Sequence, residues 1–376
     1  MVNRRIFSVL SAATVVAGFQ TAQAQSEAKI VLGQSAALTG AAAQLGIQFN
    51  EGANIYFERL NARGGINRRQ IALVAMDDAY EPDRCAENTR QLVSQDVLAL
   101  FGYIGTPTSL AALPIALQAR VPFIAPFTGA MALREPLNKT VFHLRASYDD
   151  ETALIVKQLL NLGLKKIGVF YQNDAYGKAG LSGVVKALAK EGLKPLALGT
   201  VERNSVSVTD AVKSLATAGL DAIVQISAYY SCAAFIREAR KASYGGSFFN
   251  VSFVGTQALA KDLGKDGAGV VISQVVPPPS SLATGIGREY NEAVTAHGKG
   301  ASANYSSLEG YLAARLIADG MRNAGGKINR DTLVSGMEAI GSQSYGDFVV
   351  TMSPTDHVAS HFVQLSMLTG DGRVRV

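Results

Sequence analysis

Two cysteines, four histidines and no tryptophan occur in the 376 residues of this chain. Two cysteines make no disulfide framework. Cys85 and Cys232 fall in different halves of the sequence and read as separate thiols. The histidines are His143, His297, His357 and His361. Only His357 and His361 stand four apart, and their segment reads as turn and strand, which would not aim both rings at one metal ion. Gly-x-Ser-x-Gly, His-Glu-x-x-His and Walker loops are missing, and no Gly-x-Gly-x-x-Gly follows the first strand. The chain is therefore read as a non-enzyme with no metal and no cofactor. Net charge is only +5 and no lysine or arginine run invites nucleic acid. No apolar stretch after the N-terminus is long enough to span a bilayer.

What is present starts with an export pattern. Arg4 and Arg5 precede an uncharged, mostly apolar run from Ile6 to Phe19, and Ala22-Gln23-Ala24 is a small-x-small cleavage site. A membrane-spanning helix needs about 20 apolar residues, more than this run offers. The expectation is a signal peptide over residues 1–24, cut after Ala24, with no cysteine behind it to carry a lipid anchor. The remaining 352 residues carry +3 and exceed one ordinary core, so two lobes are expected.

Strands and helices alternate along the whole chain, the pattern of parallel α/β folds. Strands are expected at Ile30–Gly33, Ile71–Ala75, Leu98–Gly102 and Phe123–Ala125, with helices around 48–62, 83–94 and 108–119. A second series has strands at Ile167–Tyr171, Leu196–Thr200 and Ile223–Ile226, with helices near 150–162, 178–190, 208–217 and 231–242. The two series share a pattern: residues 61–74 and 188–201 both run helix end, glycine, strand. Two related doubly wound, Rossmann-like lobes follow, and two such sheets facing each other leave a cleft at their carboxyl strand ends. Further on, Val270–Val276 is a strand, 286–297 and 305–324 are helical, and Phe348–Met352 and His361–Met367 alternate like antiparallel strands.

The most informative segment is Asn61 to Pro82, NARGGINRRQIALVAMDDAYEP. It reads as a helix end, a Gly64-Gly65 stop, a polar turn, a buried strand and the carboxylate pair Asp77-Asp78. As an acid/base pair Asp77-Asp78 is the weaker reading; capping a turn is the stronger. This helix–GGI–strand–DDxxxP order resembles the leucine/isoleucine/valine-type periplasmic binding proteins, the solute receptors of ABC importers. The resemblance covers residues 28–376. It implies the type I periplasmic binding protein fold, two lobes joined by a three-segment hinge. One lobe would comprise 25–145 plus 276–351 and the other 146–275 plus 352–376. It further implies a monomer in the periplasm, a small-molecule ligand in the cleft, and an ABC permease of the inner membrane as partner. Many members carry a disulfide in the first lobe; its matching positions here are Tyr80 and Gly105.

The candidate site follows from the strand ends. Gly102 to Ser109 leaves a buried strand and opens a helix, with Thr106 as expected N-cap and Pro107 at the first helical position. Such a start attracts a carboxylate through its free N–H groups, and the resemblance places ligand contacts at Gly105, Thr106 and Ser109. It places a second loop at Phe127, Thr128 and Gly129. Amino-acid receptors of the family often have a hydroxyl residue where Gly129 stands. From the second lobe, Asn173 to Gly177 resembles the family's D-x-x-Y-G loop and offers Tyr176, an apolar face with one hydroxyl. Ala228-Tyr229-Tyr230 is the equivalent loop one strand later, and Tyr229 is the favoured contact. Gln257 aligns, through Phe253-Val254-Gly255, with a glutamate that holds the ligand's ammonium in amino-acid receptors. A neutral amide gives no counter-charge. The expected ligand is a small carboxylate-bearing solute, an amino acid or related organic acid, with weak binding of leucine, isoleucine and valine. A receptor serving a membrane sensor is the alternative, and an exported α/β enzyme a more distant one.

Overall fold

The computed structural model describes residues 29–376; the export segment at 1–24 lies outside the described residues. The expected alternation resolves into two α/β lobes. In the first, β1 (Ile30–Ala36), α1 (Ala43–Ala62), β2 (Ile71–Asp77), α2 (Pro82–Ser94), β3 (Ala99–Phe101), α3 (Thr106–Gln118), β4 (Phe123–Ile124) and β5 (Val141–Phe142) follow in order. The strands form one parallel sheet, β2-β1-β3-β4-β5. Reversal of strand order on either side of β1 opens a crevice at the carboxyl ends, where the loops 37–42 and 102–105 leave the sheet.

The second lobe begins with α4 (Tyr148–Asn161), β6 (Ile167–Gln172), α5 (Ala175–Ala189), β7 (Ala197–Val201), α6 (Thr209–Ala216), β8 (Ala222–Ile226) and α7 (Tyr229–Lys241). It continues through β9 (Ser247–Asn250), α8 (Thr256–Leu263) and β10 (Val271–Gln274). The chain then returns to the first lobe as α9 (Gly285–His297), α10 (Tyr305–Asn323), α11 (Arg330–Glu338) and a hairpin of β11 (Gly341–Tyr345) and β12 (Phe348–Met352). Helix α10 packs along α1 and against α11. Finally β13 (Gln364–Leu368) and β14 (Val374–Arg375) complete the second sheet, β14-β13-β10-β9-β8-β6-β7, antiparallel at that edge and parallel elsewhere.

Sequence and packing agree on why these elements form. Strand β8, AIVQI, is buried at every position, as a central parallel strand covered by helices on both faces must be. Helix α10 is buried almost all round, Leu308, Tyr311, Leu312, Leu316 and Ile317 packing beside small residues such as Gly310, Ala313 and Ala314, as an interior helix must be. Three connections pass between the lobes. Two run side by side, because the His143 N–H donates to the His357 carbonyl at 2.8 Å and the Ala359 N–H to the His143 carbonyl at 2.8 Å.

Several local expectations change. The sequence reading has no strand at Ser247–Asn250, yet β9 lies mid-sheet between β8 and β10. Helices α8 and α11 are likewise additions. The strand expected from His361 starts at Gln364, and β14 follows it as a further addition. His357 is buried, its Nδ1 near the carbonyls of Asn138 and Val141 and its ring stacked on Phe142, while His361 lies 3.3 Å from Asp150 at the surface. The two rings therefore have different partners, His357 in the packed interior and His361 at the surface beside Asp150. Cys85 and Cys232 are buried free thiols.

Candidate ligand site between the lobes

The first-lobe wall is built by two loops at neighbouring strand ends. Gly105 stands at the N-cap position of α3 with φ +94°, and Thr106 is already helical. This corrects the expected capping role of Thr106, whose side chain makes no cap bond. Its hydroxyl instead pairs with the Thr128 hydroxyl at 2.6 Å, and both residues are buried. Thr128 Oγ1 continues to the Tyr148 hydroxyl at 3.4 Å, so three hydroxyls run in a chain from the first lobe to the start of α4. One turn into α3, Ser109 keeps a buried hydroxyl with no hydrogen-bond partner.

Tyr148 also accounts for Gly129. A β-carbon at position 129 would stand 2.6 Å from the Tyr148 nitrogen and 2.7 Å from its ring. A side chain at 129 is excluded by this close approach, so the missing hydroxyl residue is replaced in space by the Tyr148 phenol. Burial pushes that phenol up to about 12, against the pull of Arg145.

The second-lobe wall is aromatic. Asp174 caps α5 through the Tyr176 N–H at 2.9 Å and fixes Tyr176 in the first turn. The Tyr176 ring is fully buried, 5.4 Å from that of Tyr148 and 4.5 Å from that of Phe253. Phe253 in turn meets Phe127 at 5.5 Å and Tyr80 at 6.0 Å, both from the first lobe. Tyr229 is not in a loop but opens α7, its ring beside Gly255 where Leu45 of the first lobe also packs. The Gln257 side-chain oxygen accepts the Tyr305 N–H at 3.1 Å, joining α8 to the first turn of α10 across the lobes.

The structure thus brings Thr106, Phe127, Thr128 and Gly129 together from the first lobe and Tyr176 from the second, around Phe253. Gln257 and Tyr229 lie on contacts between the lobes. Buried groups hold this arrangement from behind. Arg134 donates to the carbonyls of Thr128 at 3.2 Å and Ala146 at 3.3 Å, fixing the 127–129 loop to the first crossing. Arg145 stacks on the Phe127 ring at 4.6 Å and pairs with Glu151 at 3.9 Å and Glu309 at 3.5 Å. Glu151 accepts from the Ser252 N–H at 2.7 Å, the Ser252 hydroxyl at 3.0 Å and the Ser273 hydroxyl at 2.5 Å, whereas Glu309 has only Arg145. Burial therefore pushes Glu309 up to about 7 although Arg145 pulls it down.

Residues 29–373 match the family model described as "Periplasmic binding protein". The chain belongs to that family. Its fold is that of the solute-binding receptors of ABC importers. This periplasmic binding protein is 34% identical to a possible leucine/isoleucine/valine-binding protein from Rhodopirellula baltica, with a TM-score of 0.90 over 93% of this chain and 96% of that one. A substrate-binding periplasmic protein from Ralstonia solanacearum is 30% identical, with a TM-score of 0.87 over 92% and 99%. An amino acid binding protein of Pseudomonas aeruginosa is 26% identical over 265 residues, 70% of this chain and 71% of its own length. A Leu/Ile/Val-binding protein homolog of Brucella abortus is also 26% identical, and the match spans only 60% of that relative.

Sequence reasoning missed Tyr80, Tyr148, Phe253, Arg145 and Glu309. Tyr80 sits inside the recognised DDxxxP motif and could have been singled out there. The others carry no spacing signal, because their meeting depends on how the lobes face each other. Two cavities of this binding protein lie away from these residues. One of about 620 Å³ opens at the amino ends of the first sheet beside Arg120 and Arg330. Another of about 420 Å³ lies behind the hinge, lined by Arg134, Asp150, His357 and His361.

Proposed function

We propose that this chain is an exported receptor that captures a small carboxylate-bearing organic solute between its lobes and delivers it to an ABC permease. The observation that carries the reading is the Thr106–Thr128–Tyr148 hydroxyl chain, which faces the Tyr176 and Phe253 rings across the cleft. Hydroxyls and the α3 N-terminus suit an anionic head, and the rings suit an apolar body. Ligand contacts to both walls favour the closed arrangement, the hinge motion that a permease can read. The relatives' names support an amino acid or related acid. The lobe boundaries near residues 146, 275 and 352, a periplasmic location with cleavage after Ala24, and a monomeric state belong to the same reading.

A thermal-shift screen of amino acids, 2-oxo acids and aromatic acids tests it. A ligand that binds only the folded form raises the midpoint. At least one carboxylate should do so, and Thr106→Ala should weaken it by roughly 1.5–3 kcal/mol if the hydroxyl bonds a charged group. An acid that binds Thr106→Ala as tightly as the parent would place the site elsewhere.

A further inference from the structure

The turn after β2 serves the other lobe as well as its own. Asp77 takes the N–H groups of Leu38, Thr39 and Ala79, with the Thr39 hydroxyl, and Asp78 takes the Ser35 hydroxyl at 2.7 Å and the Tyr80 N–H at 2.8 Å. These bonds hold Ala79 and Tyr80 at φ +50° and +63°, a left-handed pair that non-glycine residues adopt only when pinned. Pinned in this way, the Tyr80 ring rests on Gly105, faces Phe253 at 6.0 Å, and takes the Gln172 side-chain N–H at 3.4 Å. The ring is fully buried at the loop assigned above to carboxylate capture. The ring thus fills the space that a side chain at position 105 would need.

We propose that Tyr80 limits the size of the ligand: its ring, seated on Gly105 beside Thr106, walls the cleft and restricts the receptor to compact carboxylates. This rests on the reading of the cleft given above. Rigidity makes the wall selective. The ring cannot swing away from a bulky ligand, because Asp78 fixes its backbone, Gly105 supports its edge and Gln172 holds its hydroxyl. Truncation to an aliphatic side chain opens space at that end and leaves the hydroxyl chain of Thr106 and Thr128 in place.

The test uses Tyr80→Leu and Tyr80→Phe, with benzoate and 2-naphthoate as probes in isothermal titration calorimetry. Tyr80→Phe keeps the wall and controls for the lost hydroxyl; the melting midpoints of both variants confirm folding. Tyr80→Leu should bind 2-naphthoate at least about tenfold more tightly than the parent, as expected for relief of a steric exclusion, while Tyr80→Phe shows no such gain. Absence of a gain in Tyr80→Leu, including no binding by either protein, overturns the proposal, as does an equal gain in Tyr80→Phe. A parallel titration of Thr106→Ala with the strongest acid of the thermal-shift screen separates the two claims. If Thr106→Ala loses that acid while Tyr80→Leu gains nothing, the cleft reading stands and the Tyr80 wall falls. If neither variant changes binding, the cleft reading falls as well.

Discussion

The ring of Tyr80 lies so close to Gly105 that a β-carbon there would stand 2.3 Å from Tyr80 Cε2. Position 105 also has φ +94°, which L side chains rarely adopt. Gly105→Ala should therefore destabilise the protein by roughly 2–4 kcal/mol, combining backbone strain with overpacking. Urea denaturation measures this. In a Tyr80→Leu background the cost should shrink, since residues in contact do not add. Equal costs in both backgrounds would mean that the ring is not the obstacle.

A latch beside the cleft reports closure without touching the expected ligand position. Glu81 accepts from Arg203 at 2.8 Å and from the Asn204 side chain at 2.7 Å, two residues of the second lobe. Both charged partners are partly exposed, so Glu81→Gln should cost only about 0.5–1 kcal/mol of closure. All ligands should weaken by the same factor of roughly 2–5, mainly through faster dissociation. Stopped-flow release rates for two unlike acids check this; a change in their order would give Glu81 a role in selectivity.

Glu309 predicts a pH dependence. Its pKa in the folded protein is raised from 4.5 to about 7 by burial. The native state therefore holds a proton that the unfolded chain releases at lower pH. That contribution is full below the unfolded value and is lost as pH rises through about 7. Wild type should lose stability between pH 5 and 8 relative to Glu309→Gln, which has no proton to lose there. Denaturation midpoints of both proteins across that range decide, and parallel curves would exclude Glu309 as the titrating group.

Gln257 bears on the ligand's amine. Its side-chain oxygen is engaged by the Tyr305 N–H, and it supplies no negative charge to an ammonium. Desolvating an ammonium without a counter-charge costs several kcal/mol. Leucine should bind at least about tenfold more weakly than 4-methyl-2-oxopentanoate, its 2-oxo analogue, a difference of about 1.4 kcal/mol or more. Submicromolar leucine binding with no response to the oxo acid would show that another residue provides the charge.

Much of this architecture is legible in local sequence. Helix α10 and strand β12 stand almost where their patterns place them, because a long, mostly apolar helical run and strict alternation are strong signals. Strand β9 is different: SFFN is short, preceded by Gly245-Gly246, and becomes a strand only by inserting between β8 and β10. The site follows the same division. Thr106 stands at a strand end that opens a helix, and the family resemblance adds Thr128. Their mutual hydrogen bond, which replaces the expected cap at Thr106, is a contact over 22 positions that no local pattern records. Tyr148 against Gly129 and Tyr80 against Gly105 are likewise visible only once the loops are folded together.

One solute is expected to touch both lobes at once. Amide hydrogen exchange, with and without the carboxylate that gives the largest thermal shift, tests it directly. Protection should rise together at residues 105–109 and 127–130 of the first lobe and at 174–177 and 252–257 of the second. Protection confined to one lobe, or centred on the cavity behind the hinge at His357 and His361, would contradict capture between the lobes.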